Sequence, residues 1–317
     1  MDFVRRAVID VGTNSVKLLV ADVHGREVRP VVERSHQTRL GEGFYENHRL
    51  QPGPIAMTAA AVAEFVGQSR KHQAVTLRLI ATSAARDAVN PEELVSALEG
   101  AAGMRPEIIS GEQEADWAFQ GVTSDPALAH CPLLLLEVGG GSSQFILGQG
   151  PMTHFRQSFQ VGTVRLLERI PHSDPPQPKE MERCRTWLRH WLQTDAYPQL
   201  EPALRREVAL DPAHGAVTLV GAGGTASILA RIALSLEDFD REKLESVRLT
   251  TEELQAMMNR LWSLPLAARK KVAGLPPNRA DVILNGVAIY EAVMREFRLP
   301  KLRVSTRGLR FGALLSM

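Results

Sequence analysis

The fold of this chain is decided by two similar stretches, which read AVIDVGTNS over Ala7–Ser15 and LLLEVGGGS over Leu134–Ser142. In both, an apolar strand ends in an acid, which is followed by Val-Gly, two small residues and a serine. A second apolar segment follows each time, so each stretch is predicted to open a β-hairpin. The two copies lie about a domain length apart, which indicates that the chain contains two copies of one structural unit.

Hydrophobic periodicity in the rest of the chain predicts an α/β protein. Strands are predicted at Val4–Val11, Val16–Val23, Glu27–Arg34, Thr76–Ala81, Glu107–Ser110, Leu133–Val138, Gln144–Leu147, Thr153–Phe159, Ala216–Val220 and Leu302–Ser305. Helices are predicted at Ile55–His72, from Asn90 onward, at Glu112–Gly121, at Lys179–Gln193 and through most of the segment before Leu302.

Composition excludes several classes of protein. Of the 317 residues, 44 % are hydrophobic and 23 % are charged, and the net charge of +1 gives no general attraction for nucleic acid. Cys131 and Cys184 are too few for a disulfide framework and lack zinc-ligand spacing, which favours a reducing cytoplasm. Met1–Arg6 lacks the apolar core of a signal peptide, and no apolar run reaches the length of a membrane span.

The chemistry of the two hairpin turns points to phosphate. Glycine lets successive backbone N–H groups face one concavity, which binds phosphate oxygens, and Ser or Thr hydroxyls add donors. The acid that ends each strand would repel phosphate, but it can hold Mg²⁺ directly or through water. One such hairpin is equally well explained as an ordinary turn, whereas two matched hairpins favour a clamp on a phosphate chain.

A third glycine loop reads VGAGGTAS over Val220–Ser227 and leads from a predicted strand into a helix. Such a position directs N–H groups and a helix dipole at an anion. No lysine follows the glycines, so this is not a Walker loop, and the spacing is not that of a dinucleotide-binding fingerprint. Tight packing of strand against helix explains the loop equally well.

Further segments occur in an ordered series with these loops. They read ATSAARDA over Ala81–Ala88, ISGEQEA over Ile109–Ala115, RADVI over Arg279–Ile283 and VSTRGLR over Val304–Arg310. Together with the three glycine loops, they resemble the motifs of the exopolyphosphatase / guanosine pentaphosphatase family. The resemblance spans nearly the whole chain, and its ordered set of motifs is far more specific than any single member.

The resemblance implies the actin / sugar-kinase / heat-shock-ATPase fold, with two α/β lobes around a central cleft. Lobe I is expected to comprise residues 1–123 and 303–317, and lobe II residues 124–302. The implied activity is removal of the terminal phosphate of polyphosphate, or of the 5′ phosphate of guanosine pentaphosphate, with Mg²⁺ or alternatively Mn²⁺. We also expect a cytoplasmic homodimer that binds neither nucleic acid nor membranes.

The same resemblance assigns roles to individual residues. The catalytic glutamate of the family falls on Glu114, its phosphate-binding arginine on Arg86, and its metal-associated acid on Glu137, while Asp10 is the matching acid of the first loop. The predicted phosphate-binding residues are Gly12, Thr13, Asn14, Ser15, Gly139, Gly140, Gly141, Ser142, Gly223, Gly224 and Thr225.

This chain departs from the family pattern at four positions. Glu137 stands where the family usually has Asp, which moves the carboxylate by about one C–C bond length. Gln113 replaces a frequent acid, and Thr306 and Phe311 replace residues that are often acidic. These departures bear on metal affinity more than on the fold.

The mechanism is predicted by elimination. Cys131 lacks the arginine that a cysteine phosphatase loop needs six residues later, since that position is Glu137. Direct attack by water is therefore favoured, with a base, phosphate-oxygen donors and a metal. Two alternatives remain open from the sequence: an ATP-dependent small-molecule kinase on the same fold, and a non-catalytic sensor of polyphosphate or guanosine tetraphosphate.

Chain length of the substrate is also a prediction. Longer family members carry an additional C-terminal helical module, which we expect this chain to lack. The phosphate partners are then confined to the three glycine loops and Arg86. We expect distributive action on short polyphosphates or on guanosine pentaphosphate.

Overall fold

A computed structural model of the chain describes residues 2–210 and 217–317, which divide into two compact units. Unit 1 comprises Met1–Asp125, Gly139–Gly141 and Arg307–Met317, and unit 2 comprises Pro126–Val138 and Ser142–Thr306. The predicted boundary at residues 302 and 303 falls inside a strand of unit 2, whereas the two units divide after Thr306.

The strands lie at the predicted positions apart from β10, which falls in a segment predicted to be mainly helical. They are β1 (Val4–Val11), β2 (Val16–His24), β3 (Glu27–His36), β4 (Thr76–Ala81), β5 (Glu107–Ile108), β6 (Leu133–Val138), β7 (Ser143–Gln149), β8 (Met152–Phe159), β9 (Thr218–Ala222), β10 (Arg248–Thr250) and β11 (Lys301–Val304). Of the predicted strand Ala216–Val220, Ala216 lies outside the described residues, and β9 extends two residues further than predicted.

The helices of the N-terminal part are α1 (Pro52–Lys71), α2 (Ser83–Asp87), α3 (Pro91–Ala102) and α4 (Gly111–Val122). Those that follow are α5 (Thr163–Arg169), α6 (Pro178–Trp191), α7 (Tyr197–Leu210), α8 (Gly223–Leu234), α9 (Arg241–Ser246), α10 (Thr251–Trp262), α11 (Leu266–Arg269), α12 (Ile283–Glu296) and α13 (Leu309–Leu315). A π-helical turn at Leu192–Ala196 joins α6 to α7, and a 3₁₀ turn lies at Pro277–Arg279. No helix within the described residues has the length and apolar character needed to cross a membrane.

Both sheets share one strand order, which confirms the internal repeat. In unit 1 the order is β3-β2-β1-β4-β5, with an antiparallel β1–β2–β3 meander and parallel β1–β4 and β4–β5 pairs. In unit 2 the order β8-β7-β6-β9-β11 repeats this arrangement, and β10 adds an antiparallel edge. The predicted fold class, an α/β protein of the actin-like type with two related units, is thereby confirmed.

Strand β1 lies in the middle of its sheet, and both of its faces are covered. Ile9 and Val11 face a core that includes residues of α1 and α3, while Val8 faces a second core built from residues of α4 and α13. Asp10 shares the face of Val8, because side chains alternate along a strand. The acid at the end of β1 is therefore buried by the fold itself.

The close approach of α4 and α13 depends on glycine. A Cβ atom on Gly312 of α13 would collide with the backbone carbonyl of Trp117 in α4, and one on Gly121 of α4 would collide with the carbonyl of Gly308. Backbone atoms cannot move aside as a flexible side chain can, so both positions require a residue without Cβ.

We expect Gly312→Ala to lower the free energy of unfolding by about 1–3 kcal/mol, because it overpacks this helix contact. The matched control is Gly67→Ala within α1, where an added Cβ meets nothing within 4 Å. That change should be neutral or stabilise by up to ~1 kcal/mol, since alanine favours the helix. Urea unfolding of the two variants checks this, and equal stability of Gly312→Ala and wild type would contradict the close helix approach.

Candidate active site

The first glycine hairpin places the predicted phosphate-binding residues of unit 1 in a tight turn between β1 and β2. Gly12 donates its backbone N–H to the carbonyl of Ser15 at 3.1 Å, which closes the turn. Thr13, Asn14 and Ser15 are 4 %, 5 % and 4 % exposed. The turn is thus an ordered, enclosed element of the fold, in contrast to a solvent-facing loop.

A segment that sequence analysis missed holds this turn from outside. We call residues 37–41, which follow β3, the strap. Arg39 donates its backbone N–H to the carbonyl of Asn14 at 3.2 Å, and Gly41 donates to the carbonyl of Thr13 at 2.7 Å. A Cβ on Gly41 would collide with the Thr13 methyl group, so the strap can approach only because residue 41 is glycine. The pair of glycines in Leu40-Gly41-Glu42-Gly43 is the one sequence signal that could have marked it.

Asp10 is suited to a divalent cation. Its side chain is 6 % exposed, and its Oδ1 is buried with no hydrogen-bond partner within residues 2–210 and 217–317. Burial raises the pKa of the Asp10 carboxyl, and the positive charges of Lys17 and Arg310 offset part of that rise. A desolvated carboxylate oxygen is costly until a donor or a cation reaches it, so this residue fits a hard cation such as Mg²⁺.

Arg86 and Glu114 form an ion pair in unit 1. Arg86 lies in α2, a short helix that the sequence did not predict, and its Nη1 contacts Glu114 Oε2 at 3.2 Å and donates to the carbonyl of Ile109 at 3.0 Å. The two side chains are 24 % and 13 % exposed. Arg86 also forms a longer ion pair with Asp87, whose Oδ1 lies 3.9 Å from its Nε, and Asp87 is itself only 14 % exposed. The structure thus joins the two residues for which catalytic roles were predicted.

The position of Glu114 is set by the start of α4. The hydroxyl of Ser110 accepts the backbone N–H of Gln113 at 3.1 Å and caps the helix, which shortens β5 to Glu107–Ile108 from the predicted four residues. Glu114 therefore lies in the first turn, where the helix dipole favours a negative charge. This explains why a carboxylate can be held there while half-buried beside Arg86.

The second glycine loop, Gly139–Gly141, groups with unit 1. A Cβ on Gly140 would lie 3.0 Å from Thr13 Cβ. A Cβ on Gly141 would lie 2.9 Å from Thr13 Oγ1 and in collision range of the hydroxyls of Ser83 and Tyr45. Within unit 1 the structure thus brings the two predicted phosphate loops together at Thr13, and a side chain at Gly140 or Gly141 would fill that space.

The remaining predicted residues form a second cluster within unit 2. Because β6 and β9 are parallel neighbours with Glu137 opposite Ala222, the acid of the second hairpin reaches the third glycine loop. A Cβ on Gly223 would lie 2.7 Å from Glu137 Oε1, and Gly223 has a φ of +80°. Thr225 donates its hydroxyl to the carbonyl of Val138 at 2.8 Å. Gly223 is thus favoured by its left-handed backbone conformation, and an added Cβ there would also displace the Glu137 carboxylate.

Tyr290 contacts the strand that carries Glu137, and the sequence alone does not mark it as a site residue. It is fully buried in α12, and its hydroxyl donates to the carbonyl of Leu136 at 2.9 Å, one residue before Glu137. Burial raises the pKa of Tyr290 well above its ordinary value, and the negative charge of Glu137 adds to the rise. Tyr290 therefore remains a neutral donor that fixes the end of β6.

The other predicted residues of unit 2 have structural partners. Ser142, which is 3 % exposed, accepts a hydrogen bond from Gln144 Nε2 at 3.0 Å, and Gly224 lies in the first turn of α8.

Within the described residues, no group of three or more His, Cys, Asp or Glu side chains is arranged to hold a metal ion. Asp10 and Glu137 are therefore separate candidates, one in each unit. This is compatible with Mg²⁺, which usually takes one or two carboxylates and keeps waters or substrate phosphates.

Comparison with known proteins shows similarity along almost the whole chain. The model of the Ppx/GppA phosphatase family matches residues 19–317. Exopolyphosphatase 2 of Mycobacterium tuberculosis is 34 % identical over 330 aligned residues, which cover 100 % of this chain and 99 % of that protein. A solved Ppx/GPPA enzyme of Aquifex aeolicus is 28 % identical with a TM-score of 0.77, over 99 % of this chain and 100 % of its own. An exopolyphosphatase structure from Cytophaga hutchinsonii is 25 % identical with a TM-score of 0.83, over 99 % and 97 % of the two chains.

The raised pKa of Asp10 predicts a stability difference with a definite sign. The folded state binds a proton on the Asp10 carboxyl more tightly than the unfolded state does. The protonated carboxyl therefore stabilises the fold fully below the ordinary pKa of 3.8, and this stabilisation is lost as the pH rises through the pKa of the folded state. In EDTA, Asp10→Asn should therefore have a higher Tm than wild type near neutral pH, with an advantage that shrinks toward acid pH.

Asp22→Asn is the matched control for this measurement. The Arg5 guanidinium, 2.8 Å from Asp22, lowers the pKa of that carboxyl, so the same substitution there should lower the Tm slightly. Thermal unfolding across pH compares the two variants. A lower Tm for Asp10→Asn in EDTA at neutral pH would show that the buried carboxylate has a protein partner after all.

Proposed function

The chain belongs to the Ppx/GppA phosphatase family, and from this premise we propose that it hydrolyses the terminal phosphoanhydride bond of short inorganic polyphosphate or the 5′ phosphate of guanosine pentaphosphate. The observation that carries the proposal is the ion pair of Glu114 and Arg86 within unit 1. It combines a carboxylate able to orient water with a cation able to hold phosphate oxygens.

Glu114 is proposed as the base. Its first-turn position in α4 and its partial burial keep the carboxylate fixed, and its first role is to accept a hydrogen bond from the attacking water. As the water oxygen bonds to the terminal phosphorus, the bond from phosphorus to the bridging oxygen breaks, and the shortened chain leaves with that oxygen. The proton of the water passes to the carboxylate, and no covalent enzyme intermediate is needed.

Arg86 is proposed to bind oxygens of the terminal phosphate. Its guanidinium donates to the carbonyl of Ile109 and pairs with Glu114. The planar fork has further N–H groups, so a phosphate can be bound while the contact with Ile109 persists. This arrangement neutralises charge on the phosphate and keeps the arginine next to the base.

Mg²⁺ is proposed as the cofactor, with Mn²⁺ as the alternative. Asp10 fits a cation because its buried oxygen has no hydrogen-bond partner in the described part of the chain, and Glu137 is the corresponding acid of unit 2. When bound, such a cation supplies charge neutralisation at phosphate oxygens. The backbone turns at Gly12–Ser15 and Gly139–Gly141 would add N–H donors to the same class of ligand.

We expect Glu114→Gln to reduce turnover of tripolyphosphate by about 10²–10⁴-fold, since it keeps the shape but removes the base. Binding of tripolyphosphate, measured by calorimetry, should remain within about threefold of wild type. The control is Glu112→Gln, an exposed acid in the same first turn, which should leave turnover unchanged. Turnover of Glu114→Gln near the wild-type rate would remove Glu114 from the mechanism.

Substrate choice is tested by side-by-side rates on tripolyphosphate, long-chain polyphosphate, guanosine pentaphosphate and ATP with saturating Mg²⁺. We expect tripolyphosphate or guanosine pentaphosphate to be fastest, and end-labelled long chains to give a ladder of intermediate lengths, because the described phosphate-binding groups serve only a few phosphates. Long chains that coexist only with orthophosphate would show processive action. ADP formation that requires an added acceptor would identify a kinase instead.

A further inference from the structure

The Asn14 side chain in the first glycine hairpin has two amide ends in different situations. Its Oδ1 accepts a hydrogen bond from Gln37 Nε2 at 3.1 Å. Its Nδ2 is buried and has no hydrogen-bond partner in the described part of the chain, and the whole residue is only 5 % exposed. A primary amide carries two N–H donors on that nitrogen, so the turn holds donor capacity that the protein itself leaves unused.

A buried donor without a partner destabilises the ligand-free protein, and native structures contain few of them. A ligand that supplies the missing acceptor is one physical reason for such a group to be retained. The neighbouring side chains in this turn are the hydroxyls of Thr13 and Ser15, a donor type that suits an anion. The unused amide donors of Asn14 therefore match a phosphate oxygen.

Gln37 is held firmly enough to control which end of the amide is presented. The residue before it, His36, pairs with Val16 at the start of β2, directly beyond the turn. The residues after it are fixed by the Thr38 hydroxyl, which accepts from Thr58 at 3.0 Å, and by the Arg39 N–H, which donates to the carbonyl of Asn14. Gln37 thus lies between two anchored neighbours, with its amide nitrogen against Asn14 Oδ1.

We propose that Gln37 is a positioning residue: by donating to Asn14 Oδ1, it keeps the Asn14 amide nitrogen available to a phosphate oxygen of the substrate. The inference rests on the proposed phosphohydrolase function, because it assigns the ligand of the same turn. Gln37 does not touch the substrate, and it acts only through the orientation of Asn14.

The side chain at position 37 then determines whether the Asn14 amide presents its nitrogen or its oxygen to the phosphate. A glutamate in this position can only accept, so it would pair with Asn14 Nδ2 and turn Oδ1 toward the phosphate, which repels it. A methionine has a similar length but neither donates nor accepts strongly, so the Asn14 amide would lose its preferred orientation. Affinity for phosphate should follow the order Gln, then Met, then Glu.

The test is binding of tripolyphosphate by isothermal calorimetry in EDTA, which separates anion recognition from metal and from turnover. We expect Gln37→Met to weaken binding by roughly threefold and Gln37→Glu by roughly tenfold or more, the size of a lost hydrogen bond to a charged group. Asn14→Asp, which keeps the acceptor for Gln37 and replaces the donor by an anion, should weaken binding at least as much. Gln120→Glu, the same charge change at an exposed position of α4, is the control and should bind as wild type does.

The Tm without ligand is a second measurement, and it distinguishes a positioning role of Gln37 from a purely structural hydrogen bond. In Gln37→Glu the buried Asn14 nitrogen gains an acceptor, so the Tm without ligand should equal or exceed that of wild type while tripolyphosphate affinity falls. If Gln37→Glu instead lowers the Tm and leaves the affinity unchanged, Gln37 is a packing residue and the inference is overturned. Equal affinity of Gln37→Glu and wild type at equal Tm overturns it as well.

The outcomes also separate this inference from the proposed function. Wild-type protein that binds tripolyphosphate, with Gln37→Glu binding it equally well, refutes only the role of Gln37. Binding that follows the expected order, with full turnover in Glu114→Gln, refutes the catalytic proposal and leaves Gln37 in place. Wild-type protein that binds no tripolyphosphate in EDTA and does not hydrolyse it with saturating Mg²⁺ refutes both.

Discussion

Burial of unsatisfied polar atoms at the end of β1 is the constraint on which the unit 1 site depends. Asp10 Oδ1 is an acceptor and Asn14 Nδ2 is a donor, and neither has a hydrogen-bond partner among the residues that the structure describes. Each destabilises the ligand-free fold, because water has been removed without replacement. The proposed ligand, a cation together with phosphate oxygens, would supply a partner of the right kind to each atom. Its binding would also stabilise the folded state.

Most of the fold, and the identity of the loops, could be predicted from the sequence because the signals are local. The apolar strand, the acid and the glycine turn of Ala7–Ser15 recur at Leu134–Ser142, and this repeat alone indicates two related sheets. The motifs containing Arg86 and Glu114 could likewise be located, but their ion pair could not, since α2 follows β4, α4 follows β5, and these two strands are brought together only by their parallel pairing. Proximity of that kind depends on the sheet and has no local signature.

The strap shows a second reason why sequence reasoning falls short. Its hydrogen bonds to the first turn use backbone N–H groups, which every residue except proline possesses. No residue type in the sequence therefore indicates them. Arg39 adopts a φ of +50°, a left-handed conformation that arginine rarely takes and that no pattern in the sequence predicts. Gly41 alone gives a hint. Gln37 reads as an ordinary polar residue until Asn14 is seen beside it.

In unit 2 the acid at the corresponding position of the hairpin is Glu137, which is one methylene longer than Asp10. The resemblance implies a shorter acid at Glu137, and the Glu137 carboxylate lies beside Gly223, with Oε1 2.7 Å from the place that a Cβ there would occupy. Glycine leaves room there because it lacks Cβ, and Tyr290 holds the strand end from below through the carbonyl of Leu136. The departure from the family residue is thus accommodated by a contact inside unit 2. The carboxylate of Asp10 is buried within unit 1, whereas Glu137 is partly exposed and lies beside Gly223 in unit 2, so the two copies of the hairpin hold their carboxylates in different surroundings.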